Sequence, residues 1–213
     1  MDLLKDLSLA IQEGDEDKAV SLTKNAIKKK VKPNDILDKG LIAGMNVISE
    51  KFKNHEIFLP DVLMAAKAMQ LGLDELKPLL VKADIKKVGK VVIGSVHGDL
   101  HDIGKNLVSI MLKGAGFEVI DLGHDVPAEK FVETAKKEGA DFIGMSALLT
   151  TTMPVMKEVV DLLKKQKLTG KIKTVVGGAP LSEKFAKSIG ADAYAYDAAN
   201  AVDSLKGMLK KKK

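Results

Sequence analysis

The feature that most constrains this fold is a repeated alternation of strand-like and helix-like segments after residue 90. The first apolar run, residues 91–96, is continuous and β-branched, as expected of a strand buried on both faces. The pattern predicts further strands at residues 117–122, 142–145, 172–176 and 193–196. It also predicts amphipathic helices after the five strands, at residues 103–114, 127–138, 154–165, 181–188 and from residue 198 onward. Such alternation predicts a doubly wound α/β domain.

The five strand-helix units favour a flavodoxin-like (Rossmann-like) parallel sheet in the order 2-1-3-4-5. Right-handed crossovers then place helices on both faces of the sheet. Ligands of such domains bind at the carboxyl edge, where the first and third strands diverge. The loops after the first, third and fourth strands, at residues 97–106, 146–152 and 177–180, are therefore the expected functional site.

Residues 1–82 differ from the rest because they carry helical periodicity throughout. Asp15 is a predicted N-cap of the second helix, and Pro33 and Pro60 fit the first turns of the third and fourth helices. Four helices with short connections predict a four-helix bundle that forms a cap domain. The polar residues 83–89 form the predicted linker, and the α/β domain is expected to span residues 90–213.

The composition narrows the function classes. The 213 residues include no Cys, which argues against disulfides and thiolate metal sites and makes the cytoplasm the expected compartment. No apolar run reaches the length of about 18 residues that a membrane span needs, so no membrane partner is expected. The net charge is +5, but the chain has neither the Arg forks nor the Trp rings that nucleic-acid readers use, so no nucleic-acid partner is expected.

The loop after the first strand departs from the known phosphate-binding patterns. Five residues separate Gly98 from Gly104 where a Walker A loop has four, and Asn106 stands in place of its hydroxyl residue. Leu100 breaks the G-x-G-x-x-G pattern of dinucleotide-binding loops. After the third strand, Ser146 occupies the place of the phospho-accepting Asp of a receiver domain. These patterns therefore do not account for the loop.

Asp99 and His101 lie two positions apart in the same loop. A carboxylate beside an imidazole accepts its N–H, fixes the tautomer and frees the other nitrogen for a metal. One histidine does not make a zinc site, and His55, His97 and His124 show no ligand spacing. A single histidine suits a metal inside a macrocycle, either haem or a corrin. The same pair also occurs in proteins as an ordinary hydrogen-bonded polar turn.

Small residues at the same sheet edge favour one of the two macrocycles. Gly98, Gly104, Gly177 and Gly178 would leave a channel lined by backbone, with Ser146 on the same edge. A long groove that begins at a metal ligand accommodates a cofactor with an extended tail. A corrinoid has a nucleotide tail and haem has none, so the loops indicate a corrinoid.

The three loops carry the motifs D-x-H-x-x-G, S-x-L and G-G, at residues 99–104, 146–148 and 177–178. In this they resemble the cobalamin-binding family typified by the B12 modules of methionine synthase and of methanogen corrinoid proteins. The N-terminal region, with Phe52 and residues 57–62, resembles the helical cap of methyl-carrying members. The resemblance covers nearly the whole chain. Mutase-type modules lack this cap.

The resemblance implies a role for each motif residue. His101 would be the lower axial ligand of cobalt and displace the corrinoid's own base, an arrangement called base-off/His-on. Asp99 would hydrogen-bond His101 and extend a proton relay to Thr152, a position where the family often has Ser. The other residues expected at the cofactor are Gly98, Leu100, Asp102, Ile103, Gly104, Ser146, Leu148, Thr150, Gly177 and Gly178, with Phe52, Leu59 and Val62 in the cap.

The three cap residues have two interpretations. Phe52, Leu59 and Val62 fit helical spacing and a proline helix start, which alone indicates bundle core. The resemblance implies instead that they cover the upper face of the corrin, where the methyl group sits. It also implies that residues 82–89 act as the hinge of a cap that moves during each cycle.

The implied function is that of a methyl carrier without turnover of its own. It would hold cobalamin or a related corrinoid, in its loaded form methylcobalamin. It would shuttle a methyl group from a substrate-specific methyltransferase to an acceptor methyltransferase, whose acceptor is coenzyme M or tetrahydrofolate. A reductive activase is a third expected partner. A B12 sensor or storage protein and an adenosylcobalamin mutase small subunit remain alternatives, and the sequence leaves the methyl donor open.

Overall fold

The computed structural model describes residues 2–82 and 88–210. They form two compact units, one from the described part of residues 1–87 with Gly114–Gly116, the other from the described part of Val88–Lys113 and Phe117–Lys213. Residues 83–87 of the predicted linker lie outside the described residues, as do residues 211–213. Within the described part of the chain, no helix is long and apolar enough to cross a membrane.

The first unit is helical, as the sequence predicts. Its helices are α1 (Leu3–Glu13), α2 (Glu16–Lys28), α3 (Pro33–Asp35), a π-helical segment (Ile36–Ile42), α4 (Ala43–Lys53) and α5 (Leu59–Lys82). The predicted third helix is thus continuous from α3 to α4 but widens into π-helical turns in its middle. A π-helical segment of seven residues is unusual, because such turns normally occur singly.

The turn between α1 and α2 explains two residues of the sequence. Asp15 caps α2 as predicted, because its carboxylate accepts the backbone N–H of Lys18 at 2.9 Å. Gly14 ends α1 with a φ of 67°, and a Cβ added there would lie 2.7 Å from the Cβ of Met64. The turn therefore requires glycine both for its left-handed backbone and for its close approach to α5.

Helix α5 carries apolar side chains both on its buried face and beside it. Val62, Ala65 and Met69 are buried, at the spacing of one helical face. Leu63 and Met64, which lie between them and are equally apolar, are instead 45% and 50% exposed. Two neighbouring faces of the helix therefore carry apolar side chains, and periodicity alone does not distinguish the buried one.

The second unit is the doubly wound α/β domain predicted from the sequence. Its strands are β1 (Lys90–Ser95), β2 (Glu118–Asp121), β3 (Phe142–Ser146), β4 (Lys173–Gly177) and β5 (Ala193–Ala195). They form one parallel sheet in the order β2-β1-β3-β4-β5, which confirms the predicted order. The helices are α6 (Ile103–Gly114), α7 (Ala128–Glu138), α8 (Pro154–Lys165), α9 (Glu183–Ile189) and α10 (Ala198–Lys210).

The register of the sheet aligns the ends of its central strands. Ser95 pairs with Ser146, Ser146 with Gly177, and Gly177 with Ala195, so these residues form one row at the carboxyl edge. Behind the row, the strands carry β-branched residues that are buried, as the central strands of a parallel sheet must be. The loops after β1, β3 and β4 therefore begin side by side.

Candidate functional site

The loop after β1 folds back on the strand that carries it. Gly98 has a φ of +81°, a conformation that glycine adopts without strain. The backbone N–H of Asp99 then donates to the carbonyl of Val96 at 3.0 Å. The hydroxyl of the buried Ser95 donates to the carbonyl of His101 at 2.6 Å. These bonds hold the backbone of His101 over the end of β1.

The carboxylate of Asp99 joins this loop to the one after β3. Asp99 is completely buried. Its Oδ1 accepts the backbone N–H of His101 at 3.0 Å and lies 2.9 Å from Nδ1 of the same residue. Its Oδ2 accepts the N–H groups of Leu148 and Leu149 at 2.7 and 3.2 Å, and the Thr152 hydroxyl lies 3.0 Å away. One buried carboxylate thus organises two loops.

The charge of Asp99 follows from these contacts. Burial is the largest single influence and by itself raises the pKa of the Asp99 carboxyl. The hydrogen bonds from Leu148, from the backbone and ring of His101, and from Leu149 together outweigh it and hold this pKa well below its usual range. An ionised carboxylate only accepts hydrogen bonds, so Nδ1 of His101 carries the proton. Nε2 is then the nitrogen left to bind a metal.

The site around His101 exposes large apolar side chains to solvent. The His101 side chain is 54% exposed. In the same two loops, Leu100, Ile103, Leu148 and Leu149 are 66%, 77%, 44% and 41% exposed. Several large apolar side chains exposed together mark a ligand surface, since a soluble domain otherwise buries them. An imidazole amid exposed aliphatic groups fits a flat, largely apolar macrocycle.

The glycines of the loops expose backbone or permit close packing. A Cβ added at Gly104 would meet no heavy atom within 4 Å, so this backbone is open to a ligand. At Gly178, with a φ of +133°, an added Cβ would lie 1.9 Å from the carbonyl oxygen of Ala147. At Gly177 it would lie 3.0 Å from the carbonyl oxygen of Ala195. The Gly-Gly pair therefore keeps the loop after β4 against its neighbours and leaves a wall of backbone.

The described residues offer no competing metal site. Among residues 2–82 and 88–210, no three His, Asp or Glu side chains are grouped so that they could hold a metal ion. His97 pairs instead with Asp125, with 2.7 Å between Nδ1 and Oδ1. His101 therefore suits a metal that brings its other ligands with it.

The remaining predicted residues of the α/β unit lie at the same edge. Asp102 lies just before α6, where its carbonyl and carboxylate accept the backbone and side-chain N–H groups of Asn106 at 2.7 and 3.0 Å. Ser146 is half-buried at the end of β3, and Thr150 is exposed in the loop that follows. All the predicted residues after position 97 thus lie at the carboxyl ends of β3 and β4 or in the segments that follow β1, β3 and β4.

In the helical unit, the predicted cap residues have different environments. Phe52 on α4 and Leu59 at the start of α5 are half-buried. Val62 is fully buried, which agrees with its bundle-core interpretation. Phe58, within the run of residues 57–62, is the most exposed large apolar side chain near them in sequence, at 75%, and was not among the predicted cofactor contacts.

Three residues that contribute to the site were not identified from the sequence. Leu149 binds Asp99 through its backbone N–H, a donor that every residue except proline has, so its identity carries no signal. Asp125 accepts the backbone N–H of Gly98, and Lys105 pairs with Asp121. Both contacts join residues that are distant in sequence. Lys105 alone had a visible hint, since it lies in the run of residues 98–106 that the resemblance covers.

Comparisons with known proteins agree with this geometry. The B12 binding domain family matches residues 89–206, and a second B12 binding domain family matches residues 3–77. The chain is 46% identical over 209 residues to the dimethylamine corrinoid protein of Methanosarcina barkeri, covering 98% of each chain.

Two solved structures extend the similarity to the fold. One is the methanol:cobalamin methyltransferase complex MtaBC from Methanosarcina barkeri, with a TM-score of 0.89 and 36% identity, covering 98% of this chain and 80% of that one. The other is a cobalamin-binding protein from Desulfitobacterium hafniense, with a TM-score of 0.80 and 32% identity, covering 98% of each chain.

The fold and the site define a cobalamin-binding protein, and the chain belongs to the B12 binding domain family. Its cofactor is cobalamin or a related corrinoid, as the resemblance implied. The exposed imidazole, the aliphatic side chains around it and the open backbone at Gly104 all fit that cofactor.

Proposed function

We propose that this chain is the methyl-carrying corrinoid protein of a methyltransferase system that uses a methylated amine or methanol. It accepts a methyl group from a substrate-specific methyltransferase and yields it to an acceptor methyltransferase that serves coenzyme M or tetrahydrofolate, with a reductive activase restoring inactivated protein. The bound corrin supplies the cobalt that carries the methyl group. The observation that carries the proposal is the half-exposed His101 ring held by a buried, ionised Asp99.

The residues of the site have distinct roles in this proposal. His101 is the lower axial ligand through Nε2, in the base-off/His-on arrangement. Asp99 orients the ring and keeps Nδ1 protonated. Thr152 Oγ1 lies 3.0 Å from Oδ2 of Asp99 and 2.9 Å from the carbonyl oxygen of Leu149, so its one hydrogen has two acceptors. A hydroxyl that can redirect its proton suits a relay between the carboxylate and the loop.

The cofactor contacts extend along the sheet edge. Gly98, Leu100, Asp102, Ile103 and Gly104 form the surface next to His101, and the nucleotide tail lies along Ser146, Leu148, Thr150, Gly177 and Gly178. Two observations support this placement: the ends of β1, β3 and β4 lie side by side at the carboxyl edge, and the backbone at Gly104 is open. The cap role of Phe52, Leu59 and Val62 stays a prediction, as do the domain bounds 1–82, 83–89 and 90–213.

The relatives indicate which donor to test first. The similarity to a dimethylamine corrinoid protein covers 98% of both chains, so dimethylamine is the first candidate. The similarity to a methanol:cobalamin methyltransferase complex makes methanol the second. Selectivity lies in the partner enzyme, because the residues around His101 are those of corrinoid binding.

A reconstituted transfer assay tests the proposal. Protein loaded with cobalamin is reduced to the cob(I)alamin state with a low-potential chemical reductant and mixed with a dimethylamine- or methanol-specific methyltransferase and isotopically labelled substrate. Label is then followed onto the corrinoid and from there onto an acceptor. We expect transfer with one donor enzyme, and much slower transfer for His101→Ala. Asp161→Ala, which removes an exposed carboxylate on α8, is the control and should transfer normally. Tight corrinoid binding without transfer would favour a sensor or storage protein. A preference for an adenosyl cofactor would favour a mutase subunit.

A further inference from the structure

The segment from the last residue of β2 onward, residues 121–125, contacts the His101 loop and its helix in a way that cofactor binding does not explain. Asp125 Oδ1 accepts the backbone N–H of Gly98 at 2.7 Å and lies 2.7 Å from Nδ1 of His97. The backbone N–H of Asp125 donates to the carbonyl of Asp99 at 3.1 Å. Asp125 therefore holds the loop just before His101 through both its side chain and its backbone.

The backbone conformation of Asp125 indicates that the surrounding structure imposes this contact. Its φ is +56°, in the left-handed region that residues other than glycine rarely adopt. Asp is among the residues that tolerate this region, and such conformations persist where the surroundings impose them. The hydrogen bond from Gly98 is the main cause that holds the pKa of Asp125 below its usual value, against burial and with the help of His97. The carboxylate is thus an ionised acceptor.

The other end of the loop is held by an ion pair whose lysine is buried. Lys105 lies in the first turn of α6, four residues after His101. Its Nζ lies 2.6 Å from both carboxylate oxygens of Asp121, and its side chain is only 2% exposed. Asp121 also accepts the backbone N–H of Gly123 at 2.9 Å. A buried ammonium requires such a partner, so the ion pair ties the start of α6 to the end of β2.

We propose that Asp125 and the Lys105–Asp121 ion pair are positioning residues that set where the His101 ring stands relative to the corrin. Asp99 fixes the rotation of the ring, whereas these residues tie the backbone on both sides of His101 to residues 121–125. The inference rests on the proposed axial ligation by His101 and deepens it. Loosening either tie should move cobalt from the histidine toward the corrinoid's own base, while the protein still folds and binds the cofactor.

Electron paramagnetic resonance separates the two axial ligands. Protein labelled uniformly with ¹⁵N is loaded with unlabelled cob(II)alamin. A protein ¹⁵N ligand splits the cobalt lines into doublets, and the ¹⁴N base of the cofactor splits them into triplets. Wild-type protein should give doublets. Asp125→Gly removes the carboxylate but keeps a backbone that tolerates positive φ. It should lower the ratio of His-bound to base-bound cobalt about tenfold, which is the lower end of the effect of removing a residue that hydrogen-bonds a metal ligand.

Matched variants make the test specific. Asp125→Asn keeps an oxygen acceptor and tolerates the left-handed backbone, so it should stay close to wild type. Lys105→Met should lower the same ratio, and Asp161→Ala should leave it unchanged. Circular dichroism and bound corrinoid per protein confirm that each variant is folded and loaded. If Asp125→Gly does not fold, the comparison of Lys105→Met with wild type decides.

The outcomes distinguish this inference from the function on which it rests. Triplets in the wild-type protein would show that His101 is not the ligand, and both proposals would fail together. Doublets in the wild type with the same ratio in Asp125→Gly and Lys105→Met would overturn the positioning role and leave the axial ligand intact.

Discussion

At the scale of single residues, the buried carboxylate of Asp99 explains why the first two of the three motifs form one site. It binds His101 in its own loop and Leu148, Leu149 and Thr152 in the loop after β3. The spacing of Asp99 and His101 predicted their pairing, because both side chains are local. The backbone donors were not predictable, since they lie about fifty residues away and have no side-chain signature.

The hydroxyl of Thr152 gives a first prediction. Thr152→Val keeps the shape of the side chain but removes the donor that faces Asp99, so we expect the free energy of unfolding to fall by about 1–3 kcal/mol. Thr152→Ser keeps the hydroxyl and should lose less. Urea denaturation of the apoprotein measures both. A Thr152→Val protein as stable as the wild type would mean that the hydroxyl of Thr152 contributes nothing.

Two glycines give a second prediction with opposite outcomes. Gly178→Ala places a Cβ 1.9 Å from a backbone oxygen at a φ of +133°, so it should destabilise the apoprotein by at least about 2 kcal/mol. Gly104→Ala places a Cβ in open space at the start of α6, so its unfolding free energy should stay within about 1 kcal/mol of wild type. If the backbone of Gly104 faces the corrin, this variant should nevertheless bind cobalamin more weakly. Denaturation and cobalamin titration measure the two effects, and unchanged affinity would remove Gly104 from the contact surface.

At the scale of helices and strands, the alternation of apolar runs and amphipathic stretches was enough to predict the sheet order. The order 2-1-3-4-5 was predicted because doubly wound domains of five strand-helix units commonly adopt it, and the structure confirms it. The face of α5 was not predictable, because Leu63 and Met64 are as apolar as the buried Val62 and Ala65. The π-helical segment Ile36–Ile42 also escaped prediction, because its widening leaves no mark on the residue types.

The cap of α2 gives a prediction at this scale. Asp15→Ala removes the carboxylate that accepts the Lys18 N–H, and should destabilise the helical unit by about 0.5–2 kcal/mol. Asp15→Asn retains a capping oxygen and should lose less. Peptide-resolved hydrogen exchange should show faster exchange in α2 for Asp15→Ala and little change in the β1–β3 region. Faster exchange throughout the α/β unit would contradict a local capping role.

At the scale of the whole molecule, the two compact units each have their own core, and the predicted corrinoid contacts of the sheet edge belong to one of them. A ligand that binds only the folded state stabilises it by about 2.7 kcal/mol at a hundredfold excess over its Kd. Saturating cobalamin should therefore slow amide exchange in β1, β3 and β4. Hydrogen-exchange mass spectrometry with and without cobalamin measures this protection, and its absence in those strands would place the cofactor elsewhere.

The central claim is that His101 supplies the axial nitrogen of a bound corrinoid. Methylcobinamide tests it most directly, because this corrinoid lacks the nucleotide base and any axial nitrogen must come from the protein. The absorption spectrum of methylcobinamide bound to wild-type protein should shift to that of a nitrogen-ligated corrinoid, and His124→Ala should preserve the shift. His101→Ala should bind methylcobinamide without it. A wild-type spectrum that matches free methylcobinamide, or a shift that survives in His101→Ala, would contradict the account.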